Sequence, residues 1–512
     1  MNALEVMKLN LNVAHTENGD LAYRSSGAAC LDLFSLCGGM RHNIKDLIKL
    51  FVKAFAEDPV TAIKILFYLR NIRGGLGERN SFRVLLKELA TVYPETAKKI
   101  LYAIPEYGRW DDIFVLMETS VRDEAIGLVK NQLEKDRCAM KERKDVSLLG
   151  KWLPSVNASC KETVALAKNV MNALGMKAEE YRKLCSSLRK EIKIIEDNLR
   201  RKDYTFDYSK QPSQAMFRYK KAFLRNDGER YKEFLNKVVE QTEKIARGEE
   251  IPEAEKVKLN AKTLYPYQIV EKFLPDMYWG QKAQKLSESE ELSLEASWLS
   301  LDRNSFNSRT IVVRDGSGSM YTGGSDSPIN IATSLALLFS EQLSGVYKNS
   351  FITFSERPQL IQIPETCDTL KKKVHYVSKF DEVANTDIGK VYELLLNVAK
   401  SENVPKEEMI DRVLIISDME FDYCAKGVST FDYWKVEFKK AGYELPEIVF
   451  WNVAARKVHL PVTMNEKGVK LVSGASANIF SDVVSDDLKV VTPYEFMLKM
   501  LEPYSEFDKI VA

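Results

Sequence analysis

The stretch Thr310-Ile311-Val312-Val313-Arg314-Asp315-Gly316-Ser317-Gly318-Ser319-Met320 sets a short apolar run against one carboxylate and two hydroxyls. A run of this length reads as a buried strand. The Asp-x-Ser-x-Ser that follows delivers oxygen donors to a single point at the strand's carboxyl end. Oxygen ligands suit a hard divalent cation, Mg²⁺ first, and open parallel sheets place ligands at that end of their strands. The alternative is a Gly/Ser turn that merely begins with Asp. Two downstream segments repeat the theme. Arg412-Val413-Leu414-Ile415-Ile416-Ser417-Asp418 is a second apolar run closing on a carboxylate, and Ala384-Asn385-Thr386-Asp387-Ile388-Gly389 opens a helical stretch with a Thr/Asp cap signal.

Around these segments the pattern alternates. Strands are expected at Thr310–Arg314, Ser350–Phe354, Arg412–Ser417, Glu447–Ala454 and Val469–Val472. Helices are expected at Ile329–Ser344, Cys367–Ser378, Ile388–Ala399, Thr430–Ala441 and Thr492–Leu501. Alternating β and α elements imply a parallel sheet covered on both faces. Asp315, Ser317, Ser319, Thr386 and Asp418, in that order on strand ends and a connecting loop, resemble the metal-ion-dependent adhesion site (MIDAS) of von Willebrand factor A domains, which are Rossmann-like α/β folds. The resemblance covers residues 301–512. It implies that Ser317, Ser319 and Thr386 bind the metal by hydroxyl, and that Asp315 and Asp418 hold it directly or through water. Mg²⁺ is the expected cation, with Mn²⁺ or Ca²⁺ as substitutes. Such a site leaves a position open for a partner's carboxylate, which makes the metal a recognition device. No general base paired with a nucleophile stands near these residues, so the chain is not expected to be an enzyme. Asp387, Glu420 and Asp422 read as solvated caps and loop charges.

A chain of 512 residues is too long for one core, and 45% hydrophobic with 29% charged residues is ordinary for a globular protein. No apolar run approaches the ~20 residues that span a bilayer, and the amino terminus lacks the basic start and apolar core of a signal peptide. Seven cysteines without a Cys-x-x-Cys pair read as reduced thiols, giving a cytoplasmic expectation with no membrane partner. The four histidines (His15, His42, His375, His459) lie at no metal-ligand spacing, which argues against a zinc enzyme. The net charge of +1 hides an asymmetry: residues 301–512 hold 24 Lys/Arg against 30 Asp/Glu, whereas residues 141–230 hold 21 against 12. A basic stretch is commonly a solvated helix face, but this bias makes a polyanion partner worth weighing.

Residues 1–43 read as an extension and residues 44–290 as an all-α array. Ile44–Phe55, Pro59–Arg70, Asn80–Ala90, Pro94–Ile104, Ile113–Leu116, Ser120–Asp136, Ser159–Leu174, Ala178–Asn198, Gln214–Leu224 and Glu229–Arg247 are separated by short polar, Pro or Gly breaks. Helices of this length with brief connections suggest an antiparallel, HEAT-like helical repeat. Gln281–Leu301, rich in Lys, Gln, Ser and Glu, reads as the boundary before an α/β domain at 301–512.

The distinctive segment of the helical half is Arg70-Asn71-Ile72-Arg73-Gly74-Gly75-Leu76-Gly77-Glu78-Arg79. Its glycines leave backbone amides able to meet an anion; equally, they permit a tight turn with the arginines tied to Glu78, Asp111 or Asp112. Tyr107-Gly108-Arg109-Trp110-Asp111-Asp112 and Lys151-Trp152-Leu153-Pro154 combine aromatic and basic groups, Trp110 and Trp152 reading first as core anchors. Tyr181-Arg182-Lys183 and Leu188-Arg189-Lys190 set cations on repeated turns of one helix, which Arg200-Arg201-Lys202 ends.

These segments and the terminal domain together resemble the Ro-like proteins, in which a TROVE-like helical part precedes a von Willebrand A domain. In the Ro autoantigens the helical repeats close into a ring that binds small structured RNAs outside and misfolded RNA ends through the hole. The resemblance implies a non-enzymatic RNA-binding protein. Arg73, Arg79, Arg109, Lys151, Arg182, Lys183, Arg189 and Lys190 are the candidate phosphate contacts. The second reading is a metal-dependent scaffold that binds a partner protein's carboxylate through the adhesion site.

Overall fold

In a computed structural model the chain is described over residues 12–15, 21–275, 283–301, 309–324, 326–355, 357–380, 388–419, 429–479, 483 and 491–511. A hairpin of β1 (Val13–His15) and β2 (Leu21–Tyr23) precedes a six-stranded sheet. The sheet's strands are β3 (Thr310–Asp315), β4 (Ser350–Phe354), β5 (Leu360–Gln362), β6 (Arg412–Ser417), β7 (Glu447–Asn452) and β8 (Val469–Ser473). Their order is β5-β4-β3-β6-β7-β8, with all neighbours parallel except β4 and β5. β3, β4, β6 and β8 are buried along their whole length, as a sheet covered on both faces requires. The chain leaves β3 toward one edge and returns at β6 to build the other. The carboxyl ends of β3 and β6 therefore form the switch point where such sheets open a crevice.

The strands follow the apolar runs closely; β5 is too short, at three residues, to have carried a periodic signal. Residues 388–401, expected as a helix from Ile388, are one.

The helical half begins within the expected extension. Helix α1 (Ala29–Leu36) lies before α2 (Ile44–Glu57), α3 (Pro59–Arg70) and α4 (Arg79–Val92). Asp58 caps α3 by accepting from the Val60 and Thr61 amides, and Pro59 sits at the first helical position, where its missing N–H costs nothing. α1 packs on β8. Ser473 Oγ donates to Phe34 O at 3.3 Å and accepts from the Gly38 amide at 3.0 Å. From the other end of the chain, Phe507 stacks on Phe67 of α3 with ring centroids 4.6 Å apart, and Lys64 pairs with Asp508 at 2.6 Å. One continuous core thus joins residues from Ala28 to Leu188 with the sheet. A second core gathers Ile195, Tyr208, Phe223, Tyr231, Leu235 and Ala296.

Gln281–Leu301, read as the boundary before the α/β domain, holds a helix that was not among the expected ones, Glu288–Leu299. Ser287 and Glu290 make its capping box, and Trp298 is buried with its Nε1 donating to Glu341 at 3.1 Å. The helix is buried on two sides: Leu294 and Trp298 pack into the first core and Ala296 into the second, and its Glu and Ser residues are mostly half-buried. The stretch Ala178–Asn198 is not one helix. It breaks at Lys193, whose φ of 52° is left-handed, into Ala178–Ile192 and Ile195–Arg201.

The seam between the halves has no slack. A Cβ on Gly38 would lie 2.8 Å from the Gly474 nitrogen and the Ser473 carbonyl carbon, both backbone. Gly38→Ala should therefore lower stability by about 1–3 kcal/mol through overpacking. Urea denaturation of the full chain would read this as an earlier midpoint at unchanged slope. An unchanged midpoint would mean that the seam can open freely.

Candidate cation site and basic groove

Asp315 is the last residue of β3 and Ser417 the last of the neighbouring β6, with Asp418 next to it, so the sheet register itself brings them together. Asp315 is 1% exposed and Asp418 2%. Ser417 Oγ donates to Asp315 Oδ2 at 2.6 Å, and the Ser317 amide donates to Asp315 Oδ1 at 2.9 Å. Ser317 and Ser319 hydroxyls lie 3.1 Å apart on the half-buried turn above them. Arg456 Nη2 reaches Asp418 Oδ2 at 3.0 Å. Burial, and then the Asp418 charge, push the Asp315 carboxyl up to about 6.

These residues fit a hard cation. Two carboxylates and two serine hydroxyls converge, all oxygen, and Asp315 has no cationic partner among the described residues. No cluster of three or more His, Cys, Asp or Glu side chains suited to a metal occurs among the described residues, so the hydroxyls must supply part of any such donor set. Of the five residues read from the sequence, Asp315 and Asp418 lie at adjoining strand ends, and Ser317 and Ser319 lie on the turn that follows β3. Thr386 lies outside the described residues, as do Asp387, Glu420 and Asp422. Ser417 and Arg456 were not foreseen. Ser417 could have been, as the hydroxyl adjoining Asp418; Arg456 comes from the loop after β7, where no motif marks it.

The candidate phosphate contacts divide into groups. Arg182, Arg189 and Lys190 line a groove of about 630 Å³ with Arg200 and Arg201, flanked by Ser155, Asn157 and Ser186. Arg200 and Arg201 had been read only as a helix end. Glu196 and Asp197 also line it, and Asp197 pairs with both arginines. Arg189 is held in place by donating to the Gly150 and Leu153 carbonyls at 3.0 and 2.8 Å. Beside the groove, the Arg109 guanidinium stacks over Trp152 at 4.5 Å and the Lys151 ammonium lies 5.7 Å from the same ring. Lys151 approaches Glu196 at 3.9 Å, which places the two basic groups on adjoining surface. Trp110 and Trp152 are both half-buried, as anchors with one accessible side are.

Arg73 and Arg79 are exposed by the glycine turn, Arg73 donating to the Glu106 carbonyl at 3.4 Å. Lys183 pairs with Glu179 at 2.8 Å and lines a different cleft, away from the groove. Several amides of the glycine turn are already bonded. The Leu76, Gly77 and Glu78 amides bond to the Tyr68, Asn71 and Leu69 carbonyls, and the Arg73 amide to Asn71 Oδ1. Gly77 has a φ of 71°, which favours glycine. Arg70 is tied to Asp112 at 2.7 Å with both side chains buried, and Glu78 pairs with Arg41 at 2.7 Å. This segment is a structural turn.

The fold and site define a chain in which a helical array carries a basic groove and an α/β domain carries an acidic oxygen cluster. The family profile "Domain of unknown function (DUF2828)" matches residues 16–128 and 123–304, more than half of the sequence, and the chain belongs to that family. A second profile, "Domain of unknown function (DUF7788)", matches residues 309–492, so the two meet just before β3. An uncharacterized protein of Acanthamoeba polyphaga mimivirus is 29% identical over 96% of this chain and 88% of its own length. Among solved structures, the Deinococcus radiodurans RO (RSR) protein aligns with 85% of this chain and 92% of its own at 12% identity and a TM-score of 0.38. Among the described residues no helix is long and apolar enough to cross a membrane.

The Asp315 carboxyl gives a pH signature. Its folded-state value of about 6 lies above the ordinary 3.8, so the folded protein takes up the proton first. In metal-free buffer this group's contribution therefore rises by about 1 kcal/mol as pH falls from 7 to 5. Asp315→Asn should remove that increment, seen by comparing urea midpoints of the two proteins at both pH values. Parallel pH profiles would show that Asp315 is not the buried charge responsible.

Proposed function

We propose that the chain is a non-enzymatic, Ro-like RNA-binding protein whose helical half grips small structured or misfolded RNA. The observation that carries this reading is the groove lined by Arg182, Arg189, Lys190, Arg200 and Arg201. Guanidinium forks match phosphate geometry and bind it bidentately. Arg109 over Trp152 adds a planar cation beside the groove, with an aromatic face of the kind on which unpaired bases stack. Arg109 makes no salt bridge among the described residues, whereas Arg70 and Arg83 close by are paired. The motif resemblance to Ro-like proteins points the same way. The six described cysteines are free thiols, which suits a reducing, cytoplasmic setting.

In this reading the α/β domain is of the von Willebrand A type. Asp315, Ser317, Ser319 and Asp418 would hold Mg²⁺, with Thr386 as the fifth ligand. The cation would supply an open coordination position for an acidic group. The partly exposed Ser317 and Ser319 favour a second reading, a scaffold that binds a partner protein's carboxylate there.

The test is binding of a structured small RNA to the full chain across a salt series, with Arg182→Glu/Lys190→Glu/Arg201→Glu and Asp315→Ala alongside. Three phosphate contacts predict a roughly 20–40-fold loss of affinity between 50 and 200 mM salt. The triple variant should lose most of the binding and the salt slope, and Asp315→Ala should keep both. RNA affinity that ignores the triple variant would sink the groove reading. Negligible RNA affinity, with Mg²⁺-dependent capture of an acidic peptide lost in Asp315→Ala, would establish the scaffold instead.

A further inference from the structure

The loop that follows β7 carries Arg456 inward to Asp418, and the helical half holds that loop by its backbone. The Ala455 amide donates to Gly39 O at 2.9 Å, Arg41 Nη1 donates to Val453 O at 3.3 Å, and Asn43 Nδ2 donates to Arg456 O at 2.8 Å. Gly39 lies so near that a Cβ there would come within 2.8 Å of the Ala455 nitrogen and of Asn452 Oδ1. On the other side of the same segment, His42 Nε2 is 3.7 Å from Asp326 Oδ2, in the loop beyond the Ser317/Ser319 turn. Residues 39–43 of the helical half thus touch two of the described loops beside the oxygen cluster.

The Asp418 side chain is 1% exposed and that of Arg456 32%. A buried carboxylate needs a counter-charge, and at this position the chain supplies one of its own. A divalent cation that uses Asp418 and the Arg456 guanidinium would draw on the same carboxylate. Two cations in one small cluster repel each other strongly where water is excluded.

We propose that Arg456 is a built-in counter-charge of the Asp315/Asp418 site, so that cation binding displaces its guanidinium and loosens the 453–456 loop that residues 39–43 hold. The proposal rests on the cation reading given above and goes beyond it. It makes cation affinity a property of both halves of the chain, and it gives the helical half a means of sensing occupancy.

Mn²⁺ is the probe, its free concentration read by electron paramagnetic resonance, with full-length wild type, Arg456→Gln, Arg456→Lys and Asp315→Asn. Arg456→Gln should bind on the order of tenfold more tightly than wild type, as removal of one nearby like charge predicts. Arg456→Lys should stay near wild type, and Asp315→Asn should lose binding. In wild type, Mn²⁺ should also speed amide exchange in residues 39–43 and 453–456. Equal affinity of wild type and Arg456→Gln, with binding lost in Asp315→Asn, overturns the role of Arg456 and leaves the cation reading standing. No Mn²⁺ binding by any protein overturns both. Weaker binding by a natively folded Arg456→Gln makes the arginine a support rather than a competitor, and also overturns the proposal. If Arg456→Gln does not fold, the wild-type exchange experiment decides: unchanged exchange in 39–43 overturns it.

Discussion

The contact of Gly38 and Gly39 with the ends of β7 and β8 is the constraint on which the rest of the molecule depends. Neither position has room for a side chain, since the backbone of Ser473, Gly474 and Ala455 occupies the space. Protein interiors pack densely, so a seam of this kind cannot slide by fractions of an ångström without losing contacts along its length. The helical half and the sheet therefore share one core, and the carboxyl ends of the strands are walled by residues from the far end of the sequence. A crevice at the switch point of a doubly wound sheet is ordinarily shaped by its own loops; here residues 39–43 shape part of it too.

Electrostatics divides the molecule in a way that follows from this packing. The acidic cluster lies buried at the strand ends, where Asp315 keeps its charge only at a cost and Asp418 is met by Arg456. Arg182, Lys190, Arg200 and Arg201 lie exposed on surface helices, where charge is cheap to hold. Surface pairs such as Asp197 with Arg200 and Arg201 contribute little to stability. The weak pairing leaves the groove's positive field available to a polyanion, which gains by releasing its counterions.

Most of the α/β half's strands were legible in the sequence because all but β5 are buried along nearly their whole length and so read as apolar runs. β4 and β6 fall where Ser350–Phe354 and Arg412–Ser417 place them. The adjacency of Asp315 and Asp418 was legible for the same reason: a parallel register needs no further information to bring two strand ends together, and Ser317 and Ser319 follow on the next turn. Arg456 was not legible, because it acts across a tertiary contact with no local spacing to announce it. The helical half was harder. α1 and Glu288–Leu299 are each buried on more than one side, so neither shows a single apolar stripe, and both were missed in the extension and the boundary segment. The break at Lys193 has no Gly or Pro to mark it, and a lysine seldom takes the left-handed conformation that ends the helix there.

That break also explains where the groove lies. Tyr181, Leu184 and Leu188, on the helix before Lys193, belong to the core shared with the sheet. Ile195, just after it, belongs to the second core with Tyr208 and Tyr231. Had the helix run straight, Arg200 and Arg201 would have continued along its axis, away from Arg182. The turn at Lys193 instead brings them onto the same groove as Arg182, Arg189 and Lys190. Ordering the second core against the first is thus what assembles the basic surface. A change that loosens either core at Leu188 or Ile195 acts on the groove without touching any of its cations.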